Sequence, residues 1–303
     1  MSKYIDLHLH LDGSLSVNNA INLCKINRTD IPDNLPSLLC APKDCRDLNE
    51  YLRCFEFPLT LLQTEDTITQ SVLTLCEELK KLGISYAEIR FAPQLHTLKG
   101  LSQKSVINAA CQGIENADIE AQLILCTMRG EENKTQNEET AKLCSDYMGN
   151  GVCALDLAGA EALFPTRDFR HLFEFAAKEN IPYTIHAGEA DGAQSVIDAI
   201  NMGAKRIGHG VRAYEDEKAV KMLAEYHIPL EICPTSNLNT RIFKDIRDFP
   251  IPYFIEKAIT VTINSDNMSV SDTNVKKELS LVCSSFGINE EIFINNALKS
   301  RFI

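Results

Sequence analysis

Short apolar runs alternate with longer amphipathic stretches along nearly the whole chain. The amphipathic stretches have helical periodicity: between residues 67 and 82, for example, apolar side chains recur at Ile68, Val72, Leu75 and Leu79. The apolar runs have the length of β-strands, and they cover residues 5–11, 86–92, 121–128, 152–158, 182–187, 206–210, 229–233 and 259–265. Strands that alternate with helices indicate an α/β protein with a parallel sheet. Because there are eight such runs, the pattern predicts a (β/α)8 TIM barrel.

Residues 1–303 are predicted to form a single domain, because a chain of 303 residues suits one large barrel and contains no linker rich in glycine, serine or proline. The connection after the first strand is longer than one crossover helix needs, and we predict a helical insertion over residues 17–67. Part of it, YLRCFEFPLTLL at residues 51–62, is mostly apolar. Two interpretations remain open: this stretch packs as an ordinary extra helix, or it forms a lid over the mouth of the barrel.

Composition and charge narrow the range of partners. Apolar residues make up 45% of the chain and charged residues 24%, which is typical of a globular domain with a substantial core. The net charge is −12 and no basic stripe is present, so nucleic acid is not an expected partner, because its binding depends on neutralising phosphates. There is neither a run of about 18 apolar residues nor a signal-peptide pattern, and the expected location is the cytoplasm, with no membrane partner. The 11 cysteines form no CxxC pair, so no disulfide framework is expected.

Side chains that can bind metals or transfer protons occur at the ends of four predicted strands. His8 and His10 lie two residues apart on the first strand, so both imidazoles point to the same face of it. The others follow later strands: His186 and Glu189 the fifth, His209 the sixth and Asp266 the eighth. In a (β/α)8 barrel the carboxyl ends of all strands meet at one face, where the active site lies. We therefore expect these side chains to lie together.

A shared metal ion is the most economical explanation for this group. Ionisable side chains inside a barrel are costly unless they are paired or bound to a metal. Three imidazoles and one carboxylate suit Zn²⁺ with one position left for water or a substrate oxygen, although these ligand types would also admit iron or manganese. The predicted ligands of one zinc ion per chain are His8, His10, His186 and Asp266. Glu189 and His209 are then not needed as ligands, and we interpret them as acid and base groups.

Seven segments of the chain also resemble the successive motifs of one protein family. In chain order they are HLHLDGS, EIRFAP, DLAGAE, HAGEADG, RIGHG, EICPTSN and INSDN. They resemble the adenosine deaminase family, within the amidohydrolase superfamily, and the resemblance runs from His8 to Asn267. A lone HxH is a weak signal, whereas HxHxDG, HAGE, GHG and SD in this order at strand ends are specific.

The resemblance implies a role for each matching residue. It supports the same four zinc ligands, with Glu189 protonating the purine ring, and with His209 and Asp266 handling the attacking water. It also implies that Asp12 and Gly159 contact the ribose and the purine edge, and that His10 approaches the ribose 5′-hydroxyl. Much of the family has two adjacent aspartates where this chain has Asp266 and Asn267. The position of Asn267 resembles the contact to purine N7, and an asparagine can donate there without being protonated.

The implied reaction is the hydrolytic deamination of adenosine, and of 2′-deoxyadenosine, to inosine or deoxyinosine and ammonia in purine salvage. The alternative substrate is free adenine or another 6-aminopurine. Adenine-specific relatives tend to carry glutamate at the position of Asp12, which favours the nucleoside. An AMP-type substrate is disfavoured, because Asp12 near the 5′ end of the ribose would repel a phosphate. A catalytically silent barrel is the alternative of a different class, and the sequence gives no oligomeric state.

Overall fold

The structure is a computed structural model that describes residues 3–46 and 48–302. Within these residues the chain forms eight strands: β1 (Tyr4–His10), β2 (Ile84–Phe91), β3 (Glu120–Met128), β4 (Val152–Ala158), β5 (Thr184–Ala187), β6 (Arg206–His209), β7 (Leu230–Ile232) and β8 (Val261–Ile263). The helices are α1 (Val17–Asn27), α2 (Leu35–Leu39), α3 (Leu48–Leu52), α4 (Glu56–Leu61), α5 (Glu65–Lys81), α6 (Gln103–Glu115), α7 (Lys134–Tyr147), α8 (Arg170–Lys178), α9 (Gly192–Met202), α10 (Glu217–Glu225), α11 (Pro234–Asn239), α12 (Ile251–Glu256), α13 (Val275–Phe286) and α14 (Glu290–Lys299). In this part of the chain, no helix has both the length and the apolar character needed to cross a membrane.

The strands pair in parallel as two successive sets of four, β1 to β4 and β5 to β8. Single bridges join the two sets at both seams. Between β4 and β5, the Leu155 N–H donates to the carbonyl of Pro182 over 3.0 Å. Between β1 and the end of β8, the His10 N–H donates to the backbone carbonyl of Asp266 over 2.7 Å, and the Asp266 N–H donates to the backbone carbonyl of His8 over 2.8 Å. The strands therefore close into the predicted (β/α)8 barrel.

The helices form because apolar residues recur on one face of each and capping residues close their ends. In α5, the buried face comprises Ile68, Val72, Leu75 and Leu79, the positions that the sequence pattern indicated. The hydroxyl of Thr64 accepts a hydrogen bond from the backbone of the first turn and caps the helix. The outer helices in turn cover the strands, and every residue of β4 is buried. The strands thus read as nearly continuous apolar runs because both faces of the sheet are covered.

Paired charges occupy part of the barrel interior. The two guanidinium groups of Arg90 and Arg206 are fully buried. Arg90 binds Asp156 and Glu231 at 3.0 and 2.9 Å, whereas Arg206 binds Glu231 at 2.6 Å and also pairs with Glu88. A buried charge is tolerated only when it is paired and hydrogen-bonded. These residues therefore form one connected network along the barrel.

The long connection over residues 17–67 folds as four helices, α1 to α4, before α5 begins. Its second half is attached to loops at the carboxyl end of the barrel. The Ala41 N–H donates to the carbonyl of Val270 over 2.9 Å, and Arg241 Nε donates to the carbonyl of Cys45 over 2.8 Å. The buried Tyr51 hydroxyl lies 2.7 Å from the hydroxyl of Ser271. These contacts hold α3 beside the mouth of the barrel.

Candidate active site

The four predicted metal ligands converge at the carboxyl end of the barrel. His10 Nε2 lies 3.3 Å from His186 Nε2. Asp266 Oδ1 lies 3.5 Å from His8 Nε2 and 3.4 Å from His10 Nε2. His8 Nε2 is buried and has no hydrogen-bond partner among the described residues. Three imidazoles and one carboxylate therefore face one another, and one of the imidazole nitrogens has no partner. Such a group of donor atoms suits a divalent metal ion.

A cysteine that the sequence reasoning did not single out, Cys233, also lies beside this cluster. Its sulfur, with one donor atom each of His8, His209 and Asp266, forms a second group of potential ligands. Burial and the charge of Asp266 raise the pKa of Cys233 well above its usual value. Its thiol also donates to the carbonyl of Glu231 over 3.4 Å. The thiol of Cys233 therefore makes its hydrogen bond to a backbone carbonyl and not to the other potential ligands of this group.

Two buried carboxylates contact the Nδ1 atoms of two of the predicted histidine ligands, on the side of each ring away from the cluster. Glu231 Oε2 lies 2.8 Å from His8 Nδ1, and Asp156 Oδ2 lies 3.0 Å from His186 Nδ1. Arg90 connects the two carboxylates. A carboxylate at Nδ1 places the proton there and leaves Nε2 free as a metal donor. These two carboxylates were not predicted from the sequence, although each is an acidic residue inside an otherwise apolar strand, Asp156 in β4 and Glu231 in β7.

The predicted acid and base groups lie next to the cluster. His209 Nε2 is 3.7 Å from Glu189 Oε2 and 4.0 Å from Asp266 Oδ2. Asn237, another residue that sequence reasoning missed, donates its side-chain N–H to Glu189 Oε1 over 3.1 Å and lies 3.2 Å from His209 Nδ1. Burial, reinforced by the charges of Asp266 and Glu161, raises the pKa of Glu189 well above its usual value. Burial lowers the pKa of His209 to about 3, so its imidazole is neutral at physiological pH.

The backbone at two of these residues adopts a conformation that is unusual for non-glycine residues. His209 has φ 59° and Asp266 has φ 60°, both in the left-handed region. Such conformations cost of order 1–3 kcal/mol each and persist where the surrounding structure enforces them. Here both residues stand where a strand ends, and the turn directs each side chain toward the centre of the barrel mouth.

A cavity of about 260 Å³ opens above this cluster. Its lining includes all of the residues predicted to bind substrate: His10, Asp12, Gly159 and Asn267. Burial raises the pKa of Asp12 to about 6. Gly159 has φ 105°, which an L side chain rarely adopts. Because it has no side chain, Gly159 lines this edge of the cavity with its backbone. Asn267 packs against Gly13: a Cβ atom at position 13 would lie 1.8 Å from Asn267 Oδ1, so there is no room for a side chain at Gly13.

The apolar side of the cavity comes from the 17–67 connection. Its lining residues there are Leu48, Tyr51, Leu52, Phe55 and Leu59. The cavity therefore has one polar wall, which carries the ionisable groups, and one apolar wall, which comes from the long connection. A planar aromatic ring with polar edges is the kind of ligand that fits such a site.

A parallel eight-stranded barrel that gathers imidazole and carboxylate groups at its carboxyl end has its ionisable side chains where (β/α)8 enzymes have their active sites. The family model for adenosine deaminase matches residues 4–303. The chain therefore belongs to the adenosine deaminase family, as the sequence motifs indicated.

Known proteins resemble the chain in both sequence and structure. It is 44% identical to an adenosine deaminase of Haemophilus ducreyi over 297 residues, which span 94% of this chain and 86% of that relative. The solved structure of an adenine deaminase from Arthrobacter aurescens is similar with a TM-score of 0.87 and 25% identity, over 100% of this chain and 94% of that one. An N6-mAMP deaminase from Arabidopsis has a TM-score of 0.88 and 23% identity, over 99% of this chain and 93% of that one.

Proposed function

We propose that this chain catalyses the zinc-dependent hydrolytic deamination of adenosine and of 2′-deoxyadenosine, which gives inosine or deoxyinosine and ammonia. The observation that carries the proposal is the convergence of His8, His10, His186 and Asp266 beside the buried carboxyl group of Glu189. Identity of 44% to an adenosine deaminase over 94% of the chain supports the same reaction.

The spacing of the donor atoms supports zinc as the metal. Ligand atoms about 2.0 Å from a tetrahedral zinc ion lie about 3.3 Å from one another. The distances of 3.3 Å between the Nε2 atoms of His10 and His186, and of 3.4 and 3.5 Å from Asp266 Oδ1 to two imidazoles, agree with that value. The chemistry that zinc supplies when bound is a water ionised near neutral pH.

His209 and Asp266 divide the handling of the attacking water between them. Nδ1 of His209 faces the N–H of Asn237, and an imidazole that accepts at Nδ1 carries its proton on Nε2. His209 is then a hydrogen-bond donor toward the cavity. Asp266 directs Oδ1 at the ligand histidines and Oδ2 at His209, so Oδ2 is the acceptor for the proton of the water. His209 thus orients the nucleophile and Asp266 removes its proton.

Glu189 acts as the general acid at purine N1. Burial raises its pKa, which favours the protonated form of the carboxyl group. Because Oε1 accepts the hydrogen bond of Asn237, the proton lies on Oε2, the oxygen that faces His209 at 3.7 Å. Transfer of this proton to N1 withdraws electrons from C6 as the nucleophile attacks. The amino group at C6 then takes up the proton that Asp266 removed from the water and leaves as ammonia, while the hydroxyl proton released as the C6 carbonyl forms restores the carboxyl group of Glu189.

The remaining cavity residues position the nucleoside. Asp12 and His10 bind the ribose, Gly159 binds the purine edge through its backbone, and Asn267 donates to N7. Adenosine is favoured over AMP because the carboxylate of Asp12 would repel a 5′-phosphate. The apolar wall from residues 17–67 serves as a lid that covers the base and excludes water from the reaction.

We place the enzyme in the cytoplasm and in purine salvage. The substrate is a small nucleoside, and the net charge of −12 makes nucleic acid a poor partner. Free adenine is the second candidate substrate, since an adenine deaminase is among the similar structures.

The test is ammonia release by the purified protein from adenosine, 2′-deoxyadenosine, adenine and AMP, with Glu189→Gln as the variant. We expect turnover of the two nucleosides and little of the other two compounds. Glu189→Gln keeps the size and polarity of the side chain but has no proton to deliver, so kcat should fall by about 10²–10⁴-fold while metal content is unchanged. Preferential turnover of adenine would show that free adenine, and not the nucleoside, is the substrate. Wild-type turnover in Glu189→Gln would refute the general-acid role of Glu189.

A further inference from the structure

A buried carboxylate outside the reacting groups holds the loop that carries Glu189. Glu161 follows β4, and only 1% of its surface is exposed. Its two oxygens accept hydrogen bonds from the backbone N–H groups of Gly188 (2.6 Å), Glu189 (3.0 Å), Ala190 (2.6 Å) and Asp191 (3.2 Å), and from the hydroxyl of Ser195 (2.5 Å). One side chain therefore binds four consecutive amides, including that of Glu189 itself.

The local backbone explains why these amides face a single point. Gly188 has φ 69° and Gly192 has φ 74°, so the segment between them curls with its N–H groups on the inside. Helix α9 begins at Gly192, so three of the four amides precede the helix. Only the amide of Asp191, the N-cap residue, belongs to the helix terminus, where N–H groups have no partner within the helix. Successive amides in such a concave segment, at the positive end of a helix dipole, bind anions well. Here the anion is a side chain of the protein.

A second set of contacts fixes the other end of the same loop. Arg129 donates to the carbonyl of His186 over 2.6 Å and to the hydroxyl of Thr166 over 2.9 Å. The Thr166 hydroxyl lies 2.6 Å from that of Ser195, which in turn donates to Glu161. The segment from His186 to Asp191 is therefore held by a cation at its beginning and by an anion at its end.

We infer that Glu161 is a positioning residue for deamination: it holds the backbone from which Glu189 reaches the substrate. The inference rests on the general-acid role proposed for Glu189. Glu161 lies outside the cavity lining and is connected to the site through the loop that it binds. Glutamine has the same shape but offers one acceptor oxygen, and its NH₂ group would face amides that also donate. Glu161→Gln should therefore release part of the loop and move the carboxyl group of Glu189.

The main experiment measures kcat and KM for adenosine in four proteins: wild type, Glu161→Gln, Glu189→Gln and the double variant. A misplacement of about 1 Å at a reacting group can cost about 10²-fold, so we expect kcat to fall roughly 10- to 100-fold in Glu161→Gln with KM and metal content little changed. If Glu161 acts through Glu189, the same substitution in the Glu189→Gln protein should lower kcat by less than about threefold. A general loss of structure would not produce this dependence on Glu189.

Two further variants make the result specific. Glu78→Gln is the matched control, because Glu78 is a half-buried carboxylate on α5 that accepts one hydrogen bond, from Ser16, over 2.6 Å. It should leave kcat unchanged. Ser195→Ala removes one of the hydrogen bonds to Glu161, and it should lower kcat by about 2- to 10-fold. Ser195→Ala also provides the test if Glu161→Gln does not fold.

The outcomes separate the inference from the proposed function. A wild-type kcat in Glu161→Gln overturns the inference, as does an equal fall in the presence and absence of the Glu189 carboxyl group. In both cases the general-acid role of Glu189 still stands. If Glu189→Gln alone turns over adenosine at the wild-type rate, the proposed role of Glu189 fails and the inference fails with it.

Discussion

Arg90→Lys tests how the buried network supports the candidate metal site. The guanidinium group of Arg90 donates to Asp156 over 3.0 Å, to Glu231 over 2.9 Å and to the carbonyl of Leu7 over 2.7 Å. Those two carboxylates contact Nδ1 of His186 and Nδ1 of His8, two of the four predicted metal ligands. Lysine keeps the charge, but its compact ammonium group cannot span both carboxylates, because only the planar guanidinium presents donors in a fixed fork.

The magnitude follows from the contacts that are lost. A hydrogen bond to a charged group contributes about 1.5–3 kcal/mol. Lysine retains one of the two carboxylate contacts, so one is lost, which corresponds to roughly 10- to 150-fold in an equilibrium constant. Losing a group that orients a metal ligand typically costs about 10- to 100-fold in metal affinity. We therefore expect zinc affinity to fall by about 10- to 100-fold in Arg90→Lys.

The assay is competition for zinc between the protein and a chelator of known affinity. Arg247→Lys is the control, because Arg247 pairs with Asp245 on the surface at 2.8 Å, and exposed ion pairs contribute little. Its zinc affinity should equal that of the wild type. If Arg90→Lys folds less stably but binds zinc as tightly as the wild type, the network stabilises the barrel without orienting the ligands, and the reasoning is wrong.

Three other substitutions test the cavity. Asn267→Ala should lower kcat/KM for adenosine by about 5- to 150-fold and narrow the gap between adenosine and 7-deazaadenosine, which lacks the N7 acceptor; an unchanged ratio would show that Asn267 does not contact N7. Phe55→Ala removes apolar area from the apolar wall of the cavity, and it should raise KM for adenosine by about 5- to 30-fold with a smaller change in kcat. An unaltered KM would argue against the role of this wall as a lid. Gly159→Ala should lower kcat/KM because a side chain is strained at φ 105°, and a thermal melt alongside the kinetics separates this effect from unfolding.

The positions of the reacting groups were predictable from local patterns. His8 and His10 share a face because strand side chains alternate, and parallel strands bring their carboxyl ends to one edge. These two rules were enough to place His186, His209 and Asp266 in the same group. The structure agrees, with the ligand atoms of His10 and His186 only 3.3 Å apart although 176 residues separate them.

The supporting residues were not predictable in the same way. Glu161 lies in the DLAGAE motif together with Gly159, yet it accepts hydrogen bonds from amides 27 to 30 residues further along the chain. Such contacts depend on how two loops pack, and no period in the sequence encodes that. The buried charge network could have been predicted from the sequence. Asp156 and Glu231 each interrupt an apolar strand, and a buried carboxylate needs a buried cation as its partner. A search for that cation would have pointed to Arg90, which also interrupts an apolar strand.

Metal analysis combined with adenosine turnover tests the central claim most directly. The purified protein should contain close to one zinc ion per chain, because three imidazoles and one carboxylate converge at the barrel mouth. Removal of the metal by a chelator should abolish ammonia release from adenosine, and added zinc should restore it. A protein that is free of metal and still deaminates adenosine at the full rate would contradict the account.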